Sequence, residues 1–198
     1  KIVTIVICII AAVLAAVVIY DAVSTSKGPE PYTDTGYVMG SPLTQKIWSD
    51  DDSTSSKAAS EVLTSLTALE NDSISWRIKG SDVYNINHSS GNAVRVSKDT
   101  ASYISRSLDV CKSSCGRLDI TIGTLSTLWG IGTDDAKVPS QKQIDDAISV
   151  INYKDLTVNG DLVTSGKGQM LDLGATGKGI ACDKARSVLE KTSVKSAV

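Results

Sequence analysis

A glycine-rich segment at residues 172–179 constrains the fold of this chain more than any other stretch. The apolar residues 170–173 that lead into it predict a strand, and the periodicity of residues 180–191 behind it predicts a helix. A strand that passes through glycines into a helix exposes backbone N–H groups at the positive end of the helix dipole. The segment is therefore compatible with an anion or nucleotide site. It is also compatible with an ordinary strand-to-helix turn, because its spacing matches neither a P-loop nor the G-x-G-x-x-G fingerprint.

Two charged side chains accompany these glycines. Lys178 adds a positive charge beside the predicted helix start. Asp172, at the end of the predicted strand, can accept hydrogen bonds from a ribose, a ring N–H group or a solvated metal ion. The combination of a lysine, glycines and a helix start suits the binding of a phosphate.

A second group of glycines surrounds Trp129. Residues 116–123 read Gly-Arg-Leu-Asp-Ile-Thr-Ile-Gly, and residues 128–132 read Leu-Trp-Gly-Ile-Gly. Glycines near a tryptophan let the backbone approach a large flat surface, which suits either an aromatic ligand or a tightly packed core. Trp76, next to Arg77, leaves the same alternatives open, because it can stack on a flat ring or pack inside the protein.

The N-terminal residues 2–20 form an uncharged apolar run flanked by Lys1 and Asp21. A helix of that length reaches about 28 Å, close to the roughly 30 Å hydrocarbon core of a bilayer. We predict a transmembrane anchor or signal segment at residues 1–21, with the rest of the chain outside. A cleaved secretory signal is the alternative, although its apolar region is usually shorter. Either interpretation places the protein on the extracytoplasmic side of a membrane.

The region after this run divides into a linker and a soluble body. Residues 22–35 are small, polar and proline-containing, which predicts a linker. Residues 36–198 remain for the body, enough for one domain or for most of a larger one. The formal net charge is −2 and the lysines and arginines form no cluster, which argues against non-specific nucleic-acid binding.

Two clusters of side chains could in principle hold a metal ion. Cys111 and Cys115 share one face of a predicted helix, and they fit buried apolar residues, a local disulfide or a metal site. No C-x-x-C pair or partnering histidine supports the metal alternative. Residues 50–52 are adjacent aspartates in a turn rich in serine and threonine, which favours a solvated loop over a cation site.

The remaining periodicity predicts strands and helices without strict alternation, which is typical of the α+β class. Strands or extended stretches are predicted at residues 36–48 (with Met39-Gly40-Ser41 inside), 74–77, 118–123, 156–158, 162–164, 170–173 and 195–198. Helices are predicted at residues 56–70, at 81–87, from the N-cap Ser97 to 114, and from the capping box of Ser140 and Gln143 to 151. Asn159-Gly160 predicts a tight hairpin turn.

Five ordered blocks of residues 37–198 resemble the ApbE-type FAD:protein FMN transferases. Met39-Gly40 is similar to the Met-Gly-Thr at the start of that family, with Ser41 in place of threonine, and residues 76–87 resemble its next polar segment. Residues 116–125 and 128–132 are similar to Gly-x-Phe/Met-Asp-Ile-Thr-Val-Gly-Pro-Leu followed by Leu-Trp-Gly-Phe-Gly. Residues 138–145 follow at the family's spacing. Residues 172–183 are similar to Asp-Leu-Gly-(Ala/Gly)-x-(Ala/Gly)-Lys-Gly-x-Ala-x-Asp.

This resemblance implies a fold and a set of site residues. The expected fold is a mixed or antiparallel sheet with flanking helices, ApbE- or T-fold-like, preceded by one transmembrane helix. The residues expected to line the FAD site are Met39, Trp76, Arg117, Leu118, Asp119, Asp172 and Lys178. Ala175 corresponds to the residue whose backbone carbonyl helps to hold a divalent cation, usually Mg²⁺.

The resemblance also implies a reaction and its partners. FAD is the substrate, and FMN passes to a threonine of an exported acceptor protein, a subunit of a redox pump or an electron-transfer system, with release of AMP. The enzyme is expected to be anchored at the extracytoplasmic face of the bacterial cell membrane. In such a reaction positioning and charge neutralisation do most of the work.

The chain departs from the family at several places. Leu118 replaces an aromatic residue or methionine, and Thr124 replaces proline. The family's later motifs are not in this sequence, including the aspartate and threonine that complete the metal site, so we expect residues 1–198 to be inactive alone. The alternatives are an FAD pyrophosphatase of the same fold and a non-catalytic flavin-binding paralogue.

Overall fold

The computed structural model describes residues 12–18, 20 and 30–198. Residues 12–18 and 20 are helical and exposed, and the remainder of the predicted anchor lies outside the described residues, as do residues 22–29 of the predicted linker. Within the described parts of the chain, no helix combines the length and the apolar character that crossing a membrane requires. The first strand begins at Tyr32, so residues 32–35 belong to a sheet although they were predicted to be linker.

The fold is α+β, as the sequence predicts, with two antiparallel sheets and packed helices. The strands are β1 (Tyr32–Val38), β2 (Ser41–Trp48), β3 (Val94–Arg95), β4 (Thr157–Asn159), β5 (Leu162–Thr164) and β6 (Ser196–Ala197). The α-helices are α1 (Asp52–Ala68), α2 (Asp82–Asn87), α3 (Lys98–Ser113), α4 (Gly123–Leu128), α5 (Gln141–Ile148) and α6 (Gly174–Leu189). A π-helical segment, Leu69–Ile74, continues α1, and a 3-10 turn, Tyr153–Asp155, precedes β4.

The first sheet has the strand order β1-β2-β6 and is covered by helices. Helix α1 packs against β1, β2 and α6. The contact with β1 is close, because a Cβ atom added to Gly36 would lie 3.0 Å from Leu63 Cδ1. The strand predicted near the C-terminal end of the sequence is confirmed as β6, which pairs with β2.

The predicted single strand at residues 36–48 is instead a hairpin. Val38 pairs with Ser41, so Met39 and Gly40 form a two-residue loop between β1 and β2. Their φ angles of +54° and +69° are those of a type I′ turn, which requires positive φ at both positions. Alternation of apolar and polar residues continues through such a turn, which is why the pattern suggested one strand. The Met-Gly block therefore lies at a hairpin tip.

The second sheet has the order β3-β5-β4 and encloses the main core together with α3. The hairpin of β4 and β5 is present, but Asn159 pairs with Leu162, so its loop residues are Gly160 and Asp161 rather than Asn159 and Gly160. The largest fully buried side chains of this core are Ile86, Ile104, Ile120, Leu171, Leu173, Val62, Val83 and Val163.

The predicted helix starts are confirmed at α3 and α5. Ser97 Oγ accepts a hydrogen bond of 3.0 Å from the Thr100 N–H group. At α5 the reciprocal bonds of the capping box are both present between Ser140 and Gln143. Gly116, with φ +78°, follows the end of α3 as predicted.

The aspartates at residues 50–52 are exposed, as predicted, and they lead into helix α1, with Asp51 as its N-cap and Asp52 as its first residue. Asp51 Oδ1 accepts a hydrogen bond of 2.8 Å from the Thr54 N–H group. Hydrogen bonds from Ser53 and Thr54 lower the pKa of the Asp51 carboxyl. The cysteines are free thiols: Cys111 is buried, which raises its pKa, and Cys115 is exposed beyond the helix end. The structure therefore favours the buried apolar interpretation for Cys111 and contains no bond between the two thiols.

Two segments predicted to be strands, residues 118–123 and 170–173, form no strand. Residues 118–121 lie in a bend and a turn and Gly123 already starts α4, but the two segments lie side by side. Ile122 and Met170 form an isolated parallel bridge. The Gly123 N–H group donates to the Met170 carbonyl at 2.8 Å, and the Asp172 N–H group donates to the Ile120 carbonyl at 2.9 Å. A Cβ atom on Gly123 would lie 2.6 Å from the Met170 carbonyl oxygen, so the approach requires glycine.

Asn87, at the end of α2, holds the second of these stretches in place. Its Oδ1 accepts a hydrogen bond of 2.6 Å from the Leu171 N–H group, and its Nδ2 donates to the Leu171 carbonyl at 2.9 Å. Leu171 is fully buried, so water does not reach its backbone N–H and carbonyl groups. The Asn87 side chain supplies the hydrogen bonds that both groups need. The extended stretch therefore depends on Asn87 as well as on its neighbour.

We expect Asn87→Ala to destabilise the protein by about 2–4 kcal/mol, because it leaves two buried backbone groups without partners. Asn87→Asp is also destabilising, since its second oxygen faces the Leu171 carbonyl. Asn85→Ala is the matched control on the same helix, because Asn85 is exposed and donates only to the Gly80 carbonyl. Urea unfolding followed by circular dichroism measures the three variants. Equal stability of the Asn87 and Asn85 variants would show that the two bonds to Leu171 contribute little.

We also expect Gly123→Ala to cost about 1–3 kcal/mol, because the atom that its Cβ meets belongs to the backbone and cannot rotate away. Gly179→Ala is the comparison: a Cβ there meets nothing within 4 Å, and alanine favours the helix by roughly 0.8–1 kcal/mol. Thermal unfolding of both variants distinguishes a requirement for close approach from a general effect of replacing glycine. A Gly123→Ala protein as stable as the parent would contradict the expectation.

Candidate functional site

The glycine-rich segment forms the first turns of helix α6. The helix begins at Gly174, several residues before the predicted start near residue 180. In the first turn the Gly174 N–H group donates to Asp172 Oδ1 at 2.8 Å. The Thr176 and Gly177 N–H groups both donate to the Leu173 carbonyl. The glycines therefore belong to the first turns of the helix and do not create a separate loop.

Ala175 and Lys178 lie on the exposed side of this first turn. They are three residues apart, which places them on one face of the helix, and both are exposed. Among the residues that the structure describes, none accepts a hydrogen bond from the Ala175 N–H group or pairs with the Lys178 ammonium. An open N–H group, a free ammonium and the positive end of a helix dipole together suit an anion.

Asp172 precedes this helix start, and its carboxylate is held from two sides. Oδ1 accepts the Gly174 N–H group, and Oδ2 accepts a hydrogen bond of 2.6 Å from Ser126 Oγ. Ser126 belongs to α4, which begins at Gly123, the last residue of the Gly-Arg-Leu-Asp-Ile-Thr-Ile-Gly block. Asp172 therefore joins the two blocks that the sequence singled out, and it remains half-buried at their junction.

The Asp119 carboxylate is engaged in hydrogen bonds within the protein. Its Oδ1 accepts hydrogen bonds from the Thr121 N–H group and hydroxyl, and its Oδ2 accepts one of 2.9 Å from the Tyr153 N–H group. These bonds tie the block at residues 116–123 to the 3-10 turn before β4. Of its predicted companions, Leu118 is half-buried against the main core and Arg117 is exposed.

Trp76 packs against the main core with Arg77 stacked on it. The Arg77 Cζ atom lies 4.0 Å from the centroid of the Trp76 ring. The guanidinium also donates to the Ile131 carbonyl. It lies so close to Gly132 that a Cβ atom there would be 3.2 Å from Arg77 Nη2. The Trp-Arg pair is thereby attached to the Leu-Trp-Gly-Ile-Gly block.

Met39 lies over the start of helix α6. A Cβ atom on Gly177 would be 3.1 Å from Met39 Cε. The left-handed conformation of Met39 costs on the order of 1–2 kcal/mol for a residue with a side chain. Its N–H group is held by Glu70 Oε2 at 2.7 Å. The hairpin tip therefore contacts the helix start through the Met39 side chain and is held to the π-helical segment through the Met39 backbone.

The structure thus brings Met39, Asp172 and Lys178 to one helix start and attaches Trp76 to the neighbouring block through Arg77. Asp119 lies at the base of that block and is engaged internally. Sequence reasoning missed Ser126 and Glu70. Ser126 lies between the two recognised stretches at residues 116–125 and 128–132, so it could have been considered as a hydroxyl near the site. Nothing in the local sequence connects Glu70 to Met39.

The described residues do not form a magnesium site by themselves. Mg²⁺ prefers an octahedral set of oxygens, and the Ala175 carbonyl supplies one neutral ligand at most. No group of three or more His, Cys, Asp or Glu side chains suited to a metal ion occurs within the described parts of the chain. An ion near Ala175 needs ligands from elsewhere.

A groove of about 650 Å³ lies on a different part of the molecule, between the first sheet and α6. Leu43, Ile47, Leu189 and Val194 give it an apolar lining. None of the residues predicted to line an FAD site contributes to it. The groove is therefore separate from the helix start at Gly174.

The sequence matches the family model described as "ApbE family" over residues 39–198. The FAD:protein FMN transferase of Buchnera aphidicola subsp. Baizongia pistaciae is 29% identical over 167 residues, which cover 80% of this chain and 49% of that protein. The enzyme of the same name from Klebsiella pneumoniae (strain 342) is 27% identical over 171 residues, 84% of this chain and 52% of that protein. The chain spans about half the length of these curated relatives.

Solved structures show the same fold. The ApbE protein of Thermotoga maritima superposes with a TM-score of 0.75 at 25% identity, covering 80% of this chain and 52% of that chain. The apo flavinyl transferase ApbE of Pseudomonas stutzeri gives a TM-score of 0.73 at 25% identity, covering 85% of this chain and 56% of that chain. The sequence match and the shared fold agree: this chain belongs to the ApbE family.

Proposed function

We propose that this chain is part of an FAD:protein FMN transferase whose FAD diphosphate binds at the start of helix α6. The observation that carries the proposal lies at one helix start, next to Asp172: within the described part of the chain, the Ala175 N–H group donates to no other group and the Lys178 ammonium pairs with none. Family membership and the names of the relatives support the same reaction.

The described residues can act on FAD chiefly through charge and position. The Lys178 ammonium and the Ala175 N–H group offset negative charge on the diphosphate oxygens, which grows as the phosphorus is attacked. The Asp172 carboxylate adds no positive charge, but it can accept hydrogen bonds from the nucleotide's hydroxyl or ring N–H groups. Met39 and Trp76 supply apolar surface for the flavin ring.

In the proposed reaction a threonine hydroxyl oxygen bonds to the phosphorus on the FMN side of FAD. The bond between that phosphorus and the bridging oxygen breaks, AMP leaves with the oxygen, and the hydroxyl proton is released. Magnesium belongs to the proposal. The Ala175 carbonyl would be one ligand of the ion, as the resemblance implies, and the other ligands would come from later parts of the family domain; the ion would offset negative charge on the phosphoryl oxygens.

The proposal includes an acceptor and a location. The acceptor is an exported electron-transfer protein with a target threonine. The apolar character of residues 2–20 supports a membrane anchor and an extracytoplasmic enzyme. The test of location is membrane fractionation followed by protease treatment of intact cells and of spheroplasts.

Incubation of the full-length protein with FAD, Mg²⁺ and an acceptor that carries the target threonine tests the reaction. We expect a flavin-fluorescent acceptor band that survives a denaturing gel, together with stoichiometric AMP. The matched control replaces the acceptor threonine with valine and yields no band.

Other outcomes contradict the proposal in distinct ways. Release of free FMN and AMP without a labelled acceptor identifies an FAD pyrophosphatase. FAD binding without either product identifies a non-catalytic flavin-binding protein. Absence of FAD binding removes the basis of all three interpretations.

We expect Lys178→Ala to weaken FAD binding about tenfold, which corresponds to about 1.4 kcal/mol, because one charge-assisted contact with the diphosphate is lost. Lys191→Ala is the control, since Lys191 is exposed just beyond the other end of α6. Flavin fluorescence titration of the full-length variants measures both affinities. Unchanged FAD affinity in Lys178→Ala would show that the diphosphate does not bind at this helix start.

A further inference from the structure

We infer that Glu70 is a positioning residue of the flavin site, which acts by fixing the Met39 side chain over the start of helix α6. The effect of Glu70 on the reaction rests on the proposed function. Its effect on the position of Met39 does not depend on flavin. Glu70 touches Met39 and is not itself placed against the helix start.

The first observation is the hydrogen bond between Glu70 and the hairpin tip. Glu70 Oε2 accepts the Met39 N–H group at 2.7 Å across 31 positions of sequence. Met39 is the first loop residue of a type I′ turn, where its φ of +54° is unfavourable for a side chain larger than asparagine. A carboxylate that accepts this N–H group holds the turn in the conformation that the residue itself disfavours.

The second observation is the shared contact at Gly177. Met39 Cε lies 3.1 Å from the position of a Cβ on Gly177, and Ile74 Cδ1 lies 3.6 Å from the same point. Glu70 and Ile74 belong to one π-helical segment, Leu69–Ile74. That segment therefore binds the Met39 backbone through Glu70 and places Ile74 near the same point of α6 that the Met39 side chain reaches. Segments of this type are rare and occur frequently at functional sites.

The consequence for the reaction follows from where Met39 lies. Gly177 adjoins Lys178 in the turn that we assign to the diphosphate, so a displaced Met39 alters the surface beside that turn. Met39 is apolar and takes no part in proton transfer, so its contact stabilises bound FAD in the ground state and the transition state alike. Loss of such a contact raises KM and leaves kcat nearly unchanged.

Methionine oxidation tests the structural part without flavin. Met39 and Met170 are the two methionines of the sequence, and both are half-buried, so each molecule carries its own reference. In the full-length protein treated with dilute hydrogen peroxide, mass spectrometry gives the oxidation rate of each. We expect Glu70→Ala and the shorter Glu70→Asp to oxidise Met39 at least threefold faster relative to Met170. Glu70→Gln, which keeps an acceptor oxygen, retains the parental ratio.

Kinetics test the functional part. We expect Glu70→Ala to raise the KM for FAD about three- to tenfold with kcat within about twofold, and Glu70→Gln to restore the parental KM. In a double-mutant cycle, Glu70→Ala causes no further increase in the KM for FAD when it is combined with Met39→Ala, because Glu70 acts through Met39.

The outcomes separate the two proposals. An unchanged Met39 to Met170 ratio in both Glu70→Ala and Glu70→Asp overturns the inference, and so does equal acceleration at both methionines. Additive effects in the cycle, or a fall in kcat alone, overturn the role in the reaction. If the parent protein shows no FAD binding, the proposed function fails while the oxidation ratios still decide whether Glu70 fixes Met39.

Discussion

The close parallel approach of two backbone stretches, residues 120–123 and 170–172, is the constraint on which the rest of the site depends. It places Gly123 in contact with the Met170 carbonyl and leaves Asp172 directly before helix α6. Since Asn87 satisfies both backbone groups of Leu171, this short pairing persists inside the core without a full sheet. The position of the helix start, and with it the exposed Ala175 and Lys178, follows from that pairing.

Other parts of the molecule converge on the same helix start. The hairpin of β1 and β2 brings Met39 over Gly177, and the π-helical segment after α1 supplies both Glu70 and Ile74. Helix α4 supplies Ser126 to Asp172. The site is thus assembled from segments that are distant in sequence around a single turn of helix. The proposed function requires such an arrangement, since a reaction that depends on positioning needs its binding groups held in fixed places.

Much of the fold was predictable where a local signal was sufficient. The N-caps at Ser97 and Ser140 and the short helix after Ser81 all depend on bonds within a few residues, and all are present. The errors occurred where the local pattern had two solutions. Alternation through Met39-Gly40 fits one strand or a hairpin. The patterns of residues 118–123 and 170–173 fit strands, yet the two segments share a single isolated bridge, because residues 118–121 turn and Gly123 already belongs to α4.

The sequence by itself determined the α+β class, the order of the family blocks and the residue types at the helix start, because these depend on composition and spacing. Only the tertiary structure decided that the glycines belong to the helix, that Asp119 is engaged by backbone N–H groups, and that Glu70 bonds to Met39. The physical reason is that hydrogen-bond partners and close approaches are set by contacts across tens of residues, and no local pattern encodes which distant group will be there.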